Sequence, residues 1–341
     1  MSTSRRSLVP IILLQLHILS GGPAAAKVPA LIVFGDSTVD TGNNNYISTV
    51  IRSDFAPYGR DLRVGGGASG QPTGRFSNGR LAVDFISEAF GLPPLVPAYL
   101  DPNADMSSLA TGACFASAGA GYDNATSDLF SVLPLWKELD YFKEYAAKLR
   151  SFLGDDKAEE TLSEALYIVS MGTNDFLENY YAVPSGRAAQ YAAASDYAGY
   201  LLGVAEAFAR ALHALGARKL DLNGLPPMGC LPLDRRAATG ACTEEYNDVA
   251  RGSATWVVYG DVYGAVADVL ADPAAHGFED VGAGCCGATG RFEMGYMCNA
   301  ASPLTCADAG KYAFWDAIHP TEHHHRFIAD RKMNATLYEF L

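Results

Sequence analysis

Five short strand candidates punctuate this 341-residue chain: largely apolar runs at residues 29–34, 113–117, 165–171 and 256–262, and a stretch at 218–225 in which leucines alternate with polar residues. Runs of that length without polar alternation suit strands buried on both faces, as in a parallel sheet. Helical patterns lie between several of them. Asn78 is placed to cap a helix carrying Leu81, Phe85 and Phe90 before Gly91. A second pattern puts Leu135, Leu139, Phe142, Tyr145, Leu149 and Phe152 on one face before Gly154, and a third, ending at Gly216, aligns Leu201, Val204, Phe208, Leu212 and Leu215. Alternation of strand and helix predicts a doubly wound α/β layer, with functional groups at the carboxyl ends of the strands.

One connection strains this arrangement. A right-handed crossover between the fourth and fifth strands usually contains a helix. Only TEEYNDVAR, residues 243–251, is available to supply it, and Gly252 cuts it short. Residues 264–310, rich in Gly, Ala and Cys, lack a long periodic pattern and read as a disulfide-pinned excursion from the same domain. The segment RVGGGASGQ at 63–71 reads as a loop.

The first residues predict the compartment. Arg5 and Arg6, an apolar run and then Ala24-Ala25-Ala26 form a secretory signal peptide over residues 1–26, leaving 27–341 as one domain. No other window approaches a transmembrane span, so stable membrane insertion is not expected. Six of the seven cysteines, Cys230, Cys242, Cys285, Cys286, Cys298 and Cys306, fall in the last third, which in an oxidising compartment predicts disulfides without choosing their pairing. Sequons at Asn124 and Asn334 fit an exported glycoprotein. The net charge of −13 becomes about −15 without residues 1–26, the wrong field for a nucleic-acid partner.

Three separated turns bear groups suited to acyl chemistry. In LIVFGDSTVDTGNNNYI, residues 31–47, Gly35 permits a sharp turn that lifts Ser37 out of the sheet edge. In WDAIHPTE, residues 315–322, Asp316 and His319 are one helical turn apart, so the carboxylate can hold Nδ1 while Nε2 stays free for a serine proton. GTND at 172–175 puts Asn174 at the end of the third strand, and CFASAGAG at 114–121 offers glycine N–H groups after the second. Other patterns compete less well. Gly282-Ala-Gly284-Cys-Cys-Gly287 matches a dinucleotide fingerprint but lacks its strand and helix. His323-His324-His325 reads as a solvated helix face and not as a metal site. Asp40 is assigned to the backbone of its own turn.

Taken in order, FGDSTVDTGNNNY, FASAGAGYDNATSD, GTNDF, GARKLDLNGLPPMGCLP and FWDAIHPTE resemble the successive sequence blocks of the plant GDSL esterase/lipase family, within the SGNH hydrolase superfamily. The resemblance runs from about residue 29 to the end. It implies a flavodoxin-like three-layer α/β/α fold with a five-stranded parallel sheet. It also implies Ser37 as nucleophile, His319 as base, Asp316 as its orienting acid, and an oxyanion hole of the Ser37 N–H, the Gly119 N–H and the Asn174 side chain. No metal or organic cofactor is implied, and the partner is an ester substrate, small or polymer-linked. This chain departs from the family in carrying Cys114 where Asn is usual, and in its short crossover near 243–256. A fold-retaining binding protein without turnover and an acyltransferase using the same triad are the alternative readings.

Overall fold

A computed structural model describes residues 28–63, 70–183, 186–232, 256–287, 298–299 and 304–340. The expected signal peptide, most of the 63–71 loop and the crossover at 243–256 apart from Trp256 lie outside the described residues.

All five candidates contain strands: β1 (Leu31–Gly35), β2 (Gly112–Cys114), β3 (Leu166–Ser170), β4 (Lys219–Asn223) and β5 (Val257–Gly260). They form one sheet in the order β2-β1-β3-β4-β5, every pairing parallel. The helices are α1 (Ala82–Ala89), α2 (Met106–Leu109), α3 (Asn124–Phe130), α4 (Leu135–Leu153), α5 (Asp155–Glu164), α6 (Ala194–Ala214), α7 (Val262–Ala271) and α8 (Glu322–Ala335). Two further strands, β6 (Asp280–Gly284) and β7 (Tyr312–Phe314), pair in a small parallel sheet that the sequence does not announce.

Successive residues of β1 point to opposite faces, and each face has its own core. Ile32 and Phe34 pack with Phe142, Tyr145, Phe208 and Leu212 from α4 and α6. Leu31 and Val33 pack with Val83, Phe85 and Ile86 of α1 and with Ala329 of α8. The sheet is therefore the middle of three layers, α/β/α.

Three sequence readings need correction. The first helix starts at Ala82, with Leu81 as its cap and the Asp84 carboxylate accepting the Leu81 N–H at 2.9 Å. Asn78 serves another helix: its side-chain oxygen accepts the N–H of Glu322, the first residue of α8, at 2.8 Å. Residues 262–271 are helical, capped by Asp261. The stretch VYGAVADVLA is apolar nearly all round, which hides the 3.6-residue period. The histidine triplet is not a solvated face, because His324 and His325 are buried. Helix α8 packs against α1, α7 and β7, so two adjacent side chains both meet protein. His324 donates from Nδ1 to the Ala313 carbonyl at 3.0 Å, between Phe278 and Phe314.

Candidate active site

The site begins where β1 ends. Gly35 takes φ 143°, and a Cβ there would lie 2.0 Å from the Ser170 carbonyl oxygen at the end of β3, so only glycine fits the start of the turn. Asp36 donates its N–H to that same carbonyl at 2.9 Å. Its carboxylate accepts both the N–H and the hydroxyl of Thr38, at 3.0 and 2.7 Å. Burial pushes Asp36 up to about 6 in spite of these donors. Asp40 does bind its own turn, accepting the N–H groups of Gly42 and Asn43 at 2.8 Å each. It also reaches further than expected, accepting the Ala118 N–H at 3.0 Å and so tying the first turn to the loop after β2.

Ser37 emerges from this turn with its Oγ 2.8 Å from His319 Nε2. The Nδ1 of the same ring is 2.8 and 2.9 Å from the two oxygens of Asp316. The local geometry that joins Asp316 to His319 differs from the helical turn inferred from spacing. Residues 315–319 form a bend after β7, closed by Asp316 Oδ1 accepting the N–H groups of Ile318 and His319 at 2.9 and 2.7 Å. Thr321 then caps α8. Phe76 lies against the imidazole, with ring centroids 5.0 Å apart.

Gly119 and Asn174 arrive from the neighbouring strand ends. Gly119 holds φ 86°, a conformation that suits glycine. Among the described residues, neither its N–H nor that of Ser37 meets a hydrogen-bond acceptor. One N–H of the Asn174 amide donates to the Ala120 carbonyl at 2.9 Å, leaving its second for another partner. Ser37, Gly119, Asn174 and His319 share one cavity of about 290 Å³, including its open mouth, with apolar walls from Ile51, Phe76, Phe130 and Ile318. The five positions drawn from sequence thus converge on one cavity, Asp316 lying behind His319.

Several supporting groups carry no sequence signal. Tyr58 donates its hydroxyl to Asp316 Oδ2 at 2.8 Å across 258 positions. Glu138 of α4 accepts the Gly35 N–H at 3.0 Å. Asp175 accepts the N–H groups of Tyr122 and Asp123 and the Thr126 hydroxyl, and burial raises it to about 7. It joins the loop bearing Gly119 to the residue after Asn174. Gly284, part of the dinucleotide-like pattern, lies in β6, where a Cβ would meet the Asp316 carbonyl oxygen at 2.6 Å. Cys114 is a free, buried thiol in β2, pushed up to about 12 by desolvation. Cys285 pairs with Cys306 and Cys286 with Cys298, and Cys230 is also disulfide-bonded.

A parallel α/β sheet with a serine, an imidazole and a carboxylate in one hydrogen-bonded line at its carboxyl edge is the architecture of a serine-type hydrolase. Sequence comparison narrows the class. The family model for GDSL-like lipase/acylhydrolase matches residues 31–331. A GDSL esterase/lipase of Arabidopsis thaliana is 51% identical, covering 93% of this chain and 94% of its own length. Two others from the same plant are 48% and 47% identical, over 98% and 95% of this chain and 99% and 95% of their own lengths. The chain belongs to the GDSL esterase/lipase family and is a carboxylic ester hydrolase.

Proposed function

We propose that Ser37 attacks the ester carbonyl while His319 Nε2 takes its proton, and that Asp316 holds the imidazole and stabilises the imidazolium that forms. The Ser37 and Gly119 N–H groups and the Asn174 amide receive the oxyanion. The imidazolium then protonates the departing alcohol, leaving an acyl-enzyme that water hydrolyses by the same base. The carrying observation is the 2.8 Å contact of Ser37 Oγ with His319 Nε2 beside two backbone N–H groups that meet no acceptor among the described residues.

The apolar walls around Ser37 favour acyl esters of lipids or of the cell wall. Purified protein is expected to hydrolyse p-nitrophenyl esters, with Ser37→Ala lowering kcat by about 10⁴-fold or more. Equal turnover by wild type and a folded Ser37→Ala would overturn the mechanism.

The leader-like residues 1–26, the disulfides and the exposed Asn124 and Asn334 support an exported, apoplastic glycoprotein, with residues 27–341 forming one domain after cleavage. Expression of the full chain in plant cells tests this: recovery in the apoplastic fluid, shortened and sensitive to endoglycosidase, is expected. Retention in the cytosol with Met1 in place would contradict it.

A further inference from the structure

The turn bearing Ser37 rests on a buried acid that no catalytic step uses. Glu138, in the first turn of α4, is fully buried. Its Oε2 accepts the Gly35 N–H at 3.0 Å, and its Oε1 has no hydrogen-bond partner among the described residues. Among the described residues, the titratable groups facing it are Asp36 and Asp40, from the turn after β1, and Tyr122, from the loop after β2. None of them is a cation. Asp36 also has an oxygen, Oδ2, without a partner. An ionised Glu138 would leave a bare carboxylate oxygen in an apolar interior beside two further acids, which is untenable. Desolvation and those two acids hold the Glu138 carboxyl well above its ordinary range.

We propose that Glu138 is a neutral, protonated positioning residue whose carbonyl oxygen fixes the Gly35–Ser37 turn while adding no negative charge to it. The geometry gives this role a reason. Gly35 is wedged against Ser170, so its N–H is buried and needs an acceptor. A neutral carboxyl provides one through its carbonyl oxygen. An anion in the same place would lie against Asp36 and Asp40 and add negative charge to the turn that carries Ser37. The inference rests on the reading of Ser37 as nucleophile.

Two substitutions separate this from simple packing. Glu138→Gln keeps a neutral group with a carbonyl oxygen for the Gly35 N–H, whereas Glu138→Met keeps the volume and loses the acceptor. In Glu138→Met, kcat is expected to fall about 10–100-fold with KM within about twofold, and Glu138→Gln is expected to restore most of it. The pH profile of kcat/KM in Glu138→Gln should superimpose on that of wild type, because neither protein carries charge at this position. Infrared difference spectra of wild type against Glu138→Gln at neutral pH should show the carbonyl stretch of a protonated carboxyl group, lost in the variant. Absence of that band, or a displaced acid limb in Glu138→Gln, overturns the proposal even if Glu138→Met fails to fold. Fluorophosphonate labelling of wild type and Ser37→Ala reports on the nucleophile independently. Loss of serine-specific labelling with the infrared band intact would sink the mechanism and leave the protonated Glu138 standing.

Discussion

The Tyr58 hydroxyl donates to Asp316 Oδ2 at 2.8 Å and accepts the Cys298 N–H at 3.2 Å, so one side chain joins the carboxylate bonded to His319 to the Cys286–Cys298 disulfide. Tyr58→Phe removes the donor to a buried carboxylate and leaves the Cys298 N–H without this acceptor. Hydrogen bonds to charged groups contribute about 1.5–3 kcal/mol, so kcat/KM should drop about 10–150-fold, with some loss of stability. Steady-state kinetics with a thermal melt test this. Unchanged turnover would show that the bend at Asp316 is held by its own backbone bonds alone.

Asn174 offers one N–H to the Ala120 carbonyl and one to the cavity. Asn174→Ala should lower kcat by about 10²–10³-fold with little change in KM, the signature of a donor that matters most in the transition state. If KM rose instead and kcat held, the amide would be a ground-state contact and the oxyanion would depend on the Ser37 and Gly119 N–H groups.

Gly284 lies so close to the Asp316 backbone that a Cβ would sit 2.6 Å from its carbonyl oxygen and 3.0 Å from its Cα. Gly284→Ala must displace Asp316, and with it the orientation of His319. A misplacement on the order of 1 Å costs about 10²-fold in well-oriented reactions, so kcat should fall at least about tenfold while Ser37 and its turn stay in place. Slowed fluorophosphonate labelling of a protein that still folds would identify the cause as a disordered base. A fully active Gly284→Ala would mean that the small β6–β7 sheet yields without moving the acid.

Most of the sheet was legible because β1, β2 and β3 are buried and appear as nearly unbroken apolar runs, whereas β4 reads KLDLN and alternates polar with apolar residues. The catalytic candidates were legible because each occupies a turn at a strand end, where Gly, Asp, Ser and Asn stand out against apolar neighbours. What lay hidden depends on contacts far apart in sequence or on helices without a polar stripe. Glu138 sits in a helix whose charged positions otherwise face solvent, and nothing local marks it as the one that turns inward. Helix α7 is apolar on nearly every side. The histidine triplet misled for a related reason: polarity suggested solvent, yet α8 is enclosed by α1, α7 and β7.

His325 gives the clearest stability prediction. It is buried, both ring nitrogens lack partners among the described residues, and its surroundings include Val266, Phe314, Ile318 and Ile328. Burial, together with the neighbouring His324 and His319, depresses it from 6.5 to about 3. A histidine whose folded value is depressed binds more protons when unfolded, so stability is lost as pH falls below 6.5 and the loss continues towards pH 3. At about pH 5 this costs about 2 kcal/mol relative to neutral pH. His325→Leu removes that cost and also the two unsatisfied nitrogens, so the variant should be at least as stable as wild type at neutral pH and increasingly more stable as pH falls. The buried acids Asp36, Asp40 and Asp175, raised to about 6, 6 and 7, act in the opposite sense, gaining stability as pH falls, but they are common to both proteins and cancel in the difference. Denaturant melts of the pair across this range test the assignment. A stability difference that stays flat between neutral pH and about pH 5 would mean that His325 binds a proton in the folded protein as readily as in the unfolded chain.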